Sequence, residues 1–522
     1  MLSADSSSPE TLARRCLLAG FTGPRIPGWL ADQLGAGLGG VVLFASNVVD
    51  HDQLSGLTAA LRDAGTDVVI GMDEEGGEVT RLDAAGGSRV PGAAALGALD
   101  DVAATEAVYS TLGRRLAAAG VTVNLAPVAD VNSDPRNPVI GVRAFGADPE
   151  LVARHVAAAV RGIQGAGVAA SAKHFPGHGD TTTDSHRAIA VIDHSRAQLD
   201  AVDLVPFRAA IAAGTRSIMT GHLLVRSLDE LRPATLSPDV LTTLLRGELG
   251  FAGAVITDAL EMKAIADGFS GAGLAGSART RPPGPTVGGA YGAGLAGSAR
   301  TRPPGPTVGG MVEGAVLALV AGADALCIGA REHDALYDEI PAAVGAAVAE
   351  GRLPLARLRD AADRTRALSV LDASSGVAAL GPAGLAEIAA RSLTVSGVLP
   401  TLHRPQLIEF HTANSEAAGA LRWSLANRLH EVLPGAELVG DPTELSRQRD
   451  VVVVVRDQVR HPEQAALLTA LAAAHHGAVV VADVGWPGPT DHGLPTVHTH
   501  GISPPLLDAA AHLIGRDRGV AR

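Results

Sequence analysis

Residues 172 to 186 read Ala-Lys-His-Phe-Pro-Gly-His-Gly-Asp-Thr-Thr-Thr-Asp-Ser-His, which places one lysine, three histidines and two aspartates within fifteen positions. An apolar run, Val168 to Ala172, leads into the segment, and Pro176, Gly177 and Gly179 keep it from continuing as helix. Titratable groups crowded onto a loop after a strand can transfer protons at a catalytic rim. A second candidate is Asp258, in Ala-Val-Ile-Thr-Asp-Ala-Leu-Glu-Met, a carboxylate that closes another apolar run. A carboxylate able to attack and a nearby group able to give and take a proton would together support nucleophilic and acid–base chemistry.

These groups need elements to hold them. Short β-branched and aliphatic runs recur at Cys16 to Phe21, Gly40 to Ala45, Val68 to Asp73, Val121 to Asp130, Val168 to His174, Ser217 to His222, Ala254 to Asp258 and Ala325 to Gly329, with Ala-rich amphipathic stretches between most of them. Eight alternating βα units favour a (β/α)8 TIM-type barrel over an open doubly wound sheet. Asp73, Asp130, His174, His222 and Asp258 all stand at the C-terminal ends of these runs, the end that carries the chemistry in such barrels.

At 522 residues the chain exceeds one ordinary core. The pattern restarts late, with five consecutive valines at Val451 to Val455, a second buried run at Ala478 to Ala482, and helices expected over Glu416 to Leu433 and Pro462 to His475. We therefore expect a catalytic barrel over residues 1–370, a linker over 371–385 and a smaller α/β sandwich domain over 386–522. Inside the barrel region, residues 271–289 recur unchanged at 292–310, and nine of the 19 positions in each copy are Gly or Pro. Such a segment cannot bury enough apolar surface to offset the entropy of ordering, so 271–310 reads as a disordered, duplicated loop.

Composition narrows the partners. A balance of 42 basic against 55 acidic residues, net charge -13, without a basic block, argues against a nucleic-acid surface. With 14 aromatic residues there is little material for a long polysaccharide platform, although a pocket for one or two sugars is compatible. Met311 to Ala330, the longest apolar stretch, is interrupted by Glu313, Asp324 and glycines, which speaks against a membrane span. The first ten residues lack a basic and then apolar leader, and Cys16 and Cys327 sit in apolar runs as core filler, so a reduced cytoplasmic protein is expected.

Two patterns resemble cofactor sites and fail on context. Gly35, Gly37 and Gly40 match G-x-G-x-x-G, as do Gly271, Gly273 and Gly276, but the first precedes a strand and the second runs into Pro-Pro-Gly-Pro. His174 and His178 have the spacing of a helical zinc pair, with His186, Asp180 and Asp184 nearby, yet Pro176 and Gly177 intervene and no Glu holds the metalloprotease position. No cofactor and no metal are expected.

A carboxylate facing a proton donor is what a retaining glycosidase uses: one attacks the anomeric carbon, the other protonates the leaving oxygen and then activates water. At this point the chain resembles the family 3 glycoside hydrolases, in their β-N-acetylhexosaminidase (N-acetylglucosaminidase) branch. The resemblance rests on Asp73-Glu-Glu-Gly-Gly-Glu-Val-Thr-Arg81, Asn124-Leu-Ala-Pro-Val-Ala-Asp130, Ile140-Gly-Val-Arg-Ala-Phe-Gly146, Lys173-His-Phe-Pro-Gly-His-Gly179, Asp184-Ser-His186 and Thr257-Asp-Ala-Leu-Glu-Met262, in family order. It implies that Asp258 is the nucleophile, His186 the general acid/base and Asp184 the group that orients and charges it. It also implies that Asp73, Arg81, Arg143, Lys173 and His174 grip the sugar.

The resemblance implies removal of terminal, non-reducing β-N-acetylglucosamine from cell-wall fragments or chito-oligosaccharides, without metal. A small carbohydrate is the expected partner. The alternatives are a phosphorylase, which would pass the sugar from the same intermediate to phosphate, a β-glucosidase or β-xylosidase, and a non-catalytic sugar-binding protein. A neutral His would repel incoming phosphate less than Glu would. Ala259 stands where the family often has a second acid, and Val142 where an acid precedes the arginine.

Overall fold

The computed structural model describes residues 8–182, 189–262, 265, 310–330, 334–370, 373, 376–412, 415, 417–419, 422–488 and 492–516. Its first part is a parallel sheet of β1 (Leu17–Gly20), β2 (Gly40–Leu43), β3 (Val69–Met72), β4 (Val123–Asn124), β5 (Ala169–Phe175), β7 (Ser217–Thr220), β9 (Ala254–Thr257) and β10 (Leu326–Ile328). β10 pairs with β1, and an isolated bridge between Ile256 and Ala325 joins β9 to β10, so the sheet returns on itself. Each of the eight apolar runs holds one of these strands, β5 extending one residue beyond its run to Phe175, and helices such as His51–Ala64, Val102–Ala118 and Pro149–Gly165 stand between them. This is the expected (β/α)8 barrel.

Period-two alternation divides the side chains between two cores. Leu18, Val42, Val69, Val123, Met219, Ile256 and Cys327 share the barrel interior. Their neighbours Leu17, Ala19, Val41, Leu43, Ile70, Val255 and Ile328 face outward into the layer packed by the helices. Cys16 and Cys327 are both free and buried.

Two local expectations require correction. Of the run Val121 to Asp130, only Val123–Asn124 forms regular strand. Pro127 has no N–H to give to a ladder, and beyond it Val128 is held to Lys173 by a single bridge. A short parallel pair, β6 (Ala190–Ile192) with β8 (Leu223–Val225), was not anticipated.

The second part is a six-stranded sheet made of β11 (Thr394–Ser396), β12 (Gln406–Glu409), β13 (Glu437–Val439), β14 (Val451–Val455), β15 (Val479–Asp483) and β16 (Thr496–His498). Their order is β11-β16-β15-β14-β12-β13, parallel except for β11. The five-valine strand is central and buried on both faces: Val452 and Val454 join one apolar cluster, Val451, Val453 and Val455 another. Helices Leu425–Val432 and Pro504–Gly515 cover the first face and Pro462–Ala474 the second. The helix expected over Glu416 to Leu433 begins only at Leu425, because Ser424 caps it by accepting from Asn427 N, and Glu409 accepts from the Leu425 and Ala426 amides.

The two parts meet through Ala95, Ala389 and Leu506 and through an ion pair between Arg391 and Asp101 at 2.8 Å. The duplicated loop lies outside the described residues apart from Gly310, which opens helix Gly310–Ala321. No described helix is long and apolar enough to cross a membrane.

Candidate active site

A cavity of about 620 Å³ opens where the C-terminal ends of the barrel strands converge. Asp73 reaches it from the end of β3, Lys173 and His174 from β5, and Asp258 from the end of β9. Arg81 and Arg143 enter from the loops after β3 and β4. Six of the eight site residues expected from the sequence therefore line one cavity. The other two, Asp184 and His186, lie outside the described residues.

The centre of the wall is a charged network with little access to solvent. Lys173 Nζ lies 2.7 Å from Asp73 Oδ1 and 2.7 Å from Glu75 Oε1. Arg143 holds the same Glu75 with two bonds, Nε to Oε2 at 2.9 Å and Nη2 to Oε1 at 2.8 Å, and its Nη1 donates to Val139 O. Arg81 Nη2 stands 3.6 Å from Asp73 Oδ2. Burial alone would raise the Asp73 and Glu75 carboxyls, but the cations beside them dominate and hold both below the usual carboxylate range. Burial would lower the Lys173 ammonium, and Asp73 and Glu75 reverse that and raise it. Asp73 is thus kept ionised and able to accept hydrogen bonds, with Lys173 beside it as a donor.

Glu75 was absent from the residues expected to form the site, although it lies inside the quoted Asp73-to-Arg81 block. Its signal was weak because an acid three positions after the last strand residue is indistinguishable, by type, from Asp73, Glu74 and Glu78 around it. The fold turns it inward. Gly76 and Gly77 both take positive φ, +84° and +63°, and a Cβ on Gly77 would meet Gly92 Cα at 2.6 Å. This turn brings Val79 back to accept from Glu75 N at 3.1 Å. Behind it, Glu74 Oε2 accepts from Thr80 Oγ1 and from the Arg81 and Leu82 amides, so the loop that presents Arg81 is fixed from below.

Two strand-end residues flagged by the sequence support the wall from behind. Asp130 accepts from the His178 amide at 2.7 Å and from the His174 amide at 3.2 Å, and its Oδ2 lies 2.8 Å from His174 Nδ1. His174 and His178 are thereby organised around one carboxylate, and burial pushes His178 down to about 4. His222 Nε2 lies 3.0 Å from the carbonyl of Ala259, the residue after Asp258, while its Nδ1 meets Thr235 Oγ1 at 2.8 Å. Asp258 Oδ1 accepts from the Ala259 amide at 2.8 Å, and its own amide donates to Thr220 O at 3.1 Å. The nucleophile candidate is therefore anchored by the amide of the next residue and by the carbonyl at the end of neighbouring β7.

The described residues on either side of positions 183–188 include charged groups. His194 lies between Asp180, at 2.9 Å, and Asp203, at 2.7 Å. Hydrogen bonds to these two carboxylates push His194 up to about 10, so it is a cation at neutral pH.

Comparison with known proteins agrees with this geometry. Residues 29–279 match the model of the glycosyl hydrolase family 3 N terminal domain. The chain is 40% identical over 255 residues to beta-hexosaminidase A of Pseudoalteromonas piscicida, a match covering 45% of this chain and 42% of that protein. It is 39% identical over 232 residues to the beta-hexosaminidase of Stenotrophomonas maltophilia strain K279a, covering 43% of this chain and 68% of the relative. The chain thus spans less than half the length of the first relative and about two thirds of the second. In structure it is similar to a glycoside hydrolase family 3 beta-N-acetylglucosaminidase from Paenibacillus sp. str. FPU-7, with a TM-score of 0.78 and 31% identity over 97% of this chain and 96% of that one. A charged cavity at the C-terminal mouth of a (β/α)8 barrel, family blocks in order and a 39% identical relative matched over 68% of its length lead to one assignment: the chain belongs to glycosyl hydrolase family 3.

Proposed function

We propose that the protein hydrolyses terminal, non-reducing β-N-acetylglucosaminides with net retention, through a glycosyl ester on Asp258. The observation that carries this reading is the convergence of Asp258 with the Asp73–Lys173–Glu75–Arg143 network in one cavity. Its size suits one or two sugar rings rather than a long chain. Asp73, Lys173 and Arg81 hold the hydroxyls of the terminal sugar and fix its anomeric carbon against Asp258.

In the first step an Asp258 oxygen bonds to that carbon as the glycosidic bond breaks, and the leaving oxygen takes a proton from His186. In the second, His186 removes a proton from water, which attacks the same carbon and frees Asp258. Asp184 favours the imidazolium needed for the first step. Beta-hexosaminidase relatives and the Paenibacillus neighbour support the N-acetyl sugar as substrate. Cell-wall fragments or chito-oligosaccharides, met in the cytoplasm, are the natural sources we infer.

Turnover of nitrophenyl β-N-acetylglucosaminide against the corresponding glucoside, with and without inorganic phosphate, tests the proposal. We expect release of nitrophenol from the N-acetyl substrate alone, at a rate independent of phosphate, with free N-acetylglucosamine as product. Dependence on phosphate with appearance of sugar 1-phosphate would instead identify a phosphorylase. Preference for the glucoside would overturn the assignment to N-acetyl sugars.

A further inference from the structure

Among the described residues, the second domain bears on the sugar site through two links to one barrel loop. In its sheet the order β13-β12-β14-β15-β16 reverses direction between β12 and β14. A crevice at the C-terminal ends of such a strand pair is where open parallel sheets ordinarily take a ligand. Arg456, the first residue after β14, stands at this point. What it meets is the barrel: Arg456 Nη2 lies 2.5 Å from Glu78 Oε2, with side-chain exposures of 4% and 6%. The guanidinium also lies over the Trp423 ring, 5.6 Å from its centroid.

Glu78 sits on the loop that begins at the Gly76-Gly77 turn and ends at Arg81. Glu74 fixes the backbone of residues 80–82 from below, but the Arg81 side chain needs support from above. It receives that support from the second domain: Arg81 Nη1 donates to Ala417 O at 2.9 Å, and both residues line the cavity. The two links converge on one loop, and the loop presents the guanidinium that faces Asp73. A buried ion pair is weak evidence for net stability, and here the pair joins the second domain to the loop that carries Arg81.

We propose that Arg456 is a positioning residue of the sugar site: by gripping Glu78 it sets the Gly76-to-Arg81 loop so that Arg81 meets the substrate. The second domain is then part of substrate binding, although Arg456 itself touches no sugar. This rests on the proposed function only for its choice of substrate.

The test is a cycle of full-length variants, Arg456→Met, Arg81→Met and the double variant, assayed on nitrophenyl β-N-acetylglucosaminide. Arg456→Met should raise KM about tenfold, within the range for coupled neighbours, with kcat within about twofold of the parent. The double variant should be no worse than Arg81→Met, because both changes disable the same contact. Glu78→Gln, a change of similar shape made from the barrel side, should reproduce the KM rise and add nothing to Arg456→Met. It also supplies the answer if Arg456→Met fails to fold. KM penalties that multiply in the double variant, or an unchanged KM in Glu78→Gln, would overturn the proposal. Should the parent not turn over this substrate, the proposed function fails while the link is still decided by the same cycle read as the Kd for N-acetylglucosamine, with the same criteria.

Discussion

Asp258→Asn is expected to lower kcat by about 10⁴-fold, the scale seen when a nucleophile is removed from an otherwise intact site, while the Kd for N-acetylglucosamine changes by no more than about threefold. The amide keeps the shape of the carboxylate but is a poor nucleophile, and it cannot stabilise positive charge developing at the anomeric carbon. The groups proposed to hold the sugar are untouched, since Asp73 and Lys173 are held to one another and to Glu75, and Asp258 is anchored through the Ala259 amide and Thr220 O. Pre-steady-state and binding measurements on the purified variant separate the two effects. A loss of less than about tenfold would remove Asp258 from the chemistry.

The second large effect is expected at Glu75→Leu. Lys173 and Arg143 each expose only 3% of their side chains, and Glu75 is the carboxylate they share. Among the described residues, removing it leaves the buried Arg143 hydrogen-bonded to the Val139 carbonyl and Lys173 paired with Asp73. Breaking a buried pair from one side costs about 3–5 kcal/mol, mostly because the remaining charge is uncompensated. Urea denaturation followed by a barrel-specific probe should show a loss of that size, together with a marked rise in KM as Lys173 leaves its place. A loss under about 1 kcal/mol would mean that water reaches the network and that the burial argument is wrong.

How far the sequence discloses this site depends on the kind of signal each residue gives. The barrel was legible because eight apolar runs recur, five of them ending in a polar residue, and the strands alternate: Leu18 and Cys327 point in while Leu17 and Ile328 point out. Asp73, Lys173 and Asp258 were legible because each sits at or beside a strand end. Glu75 was not, because its inward direction is set by a glycine turn that depends on close contact with Gly92. Asp130 and His222 were visible as strand-end polar residues, yet only packing shows that one organises His174 and His178 and the other holds the Ala259 carbonyl. The Arg456–Glu78 joint had no sequence signal at all, since the two residues are 378 positions apart. The late start of helix Leu425–Val432 reflects a further blind spot, an Ala-rich stretch whose N-terminus is decided by a cap from Glu409 on another strand.

The central claim is a covalent ester on Asp258, and its stereochemical consequence can be read directly. Proton NMR of the reaction on nitrophenyl β-N-acetylglucosaminide, recorded before mutarotation, should show the β-anomer of N-acetylglucosamine forming first and the α-anomer growing only later. Two displacements at one carbon require that order. First appearance of the α-anomer would mean direct attack by water, and Asp258 would then have no place as the nucleophile.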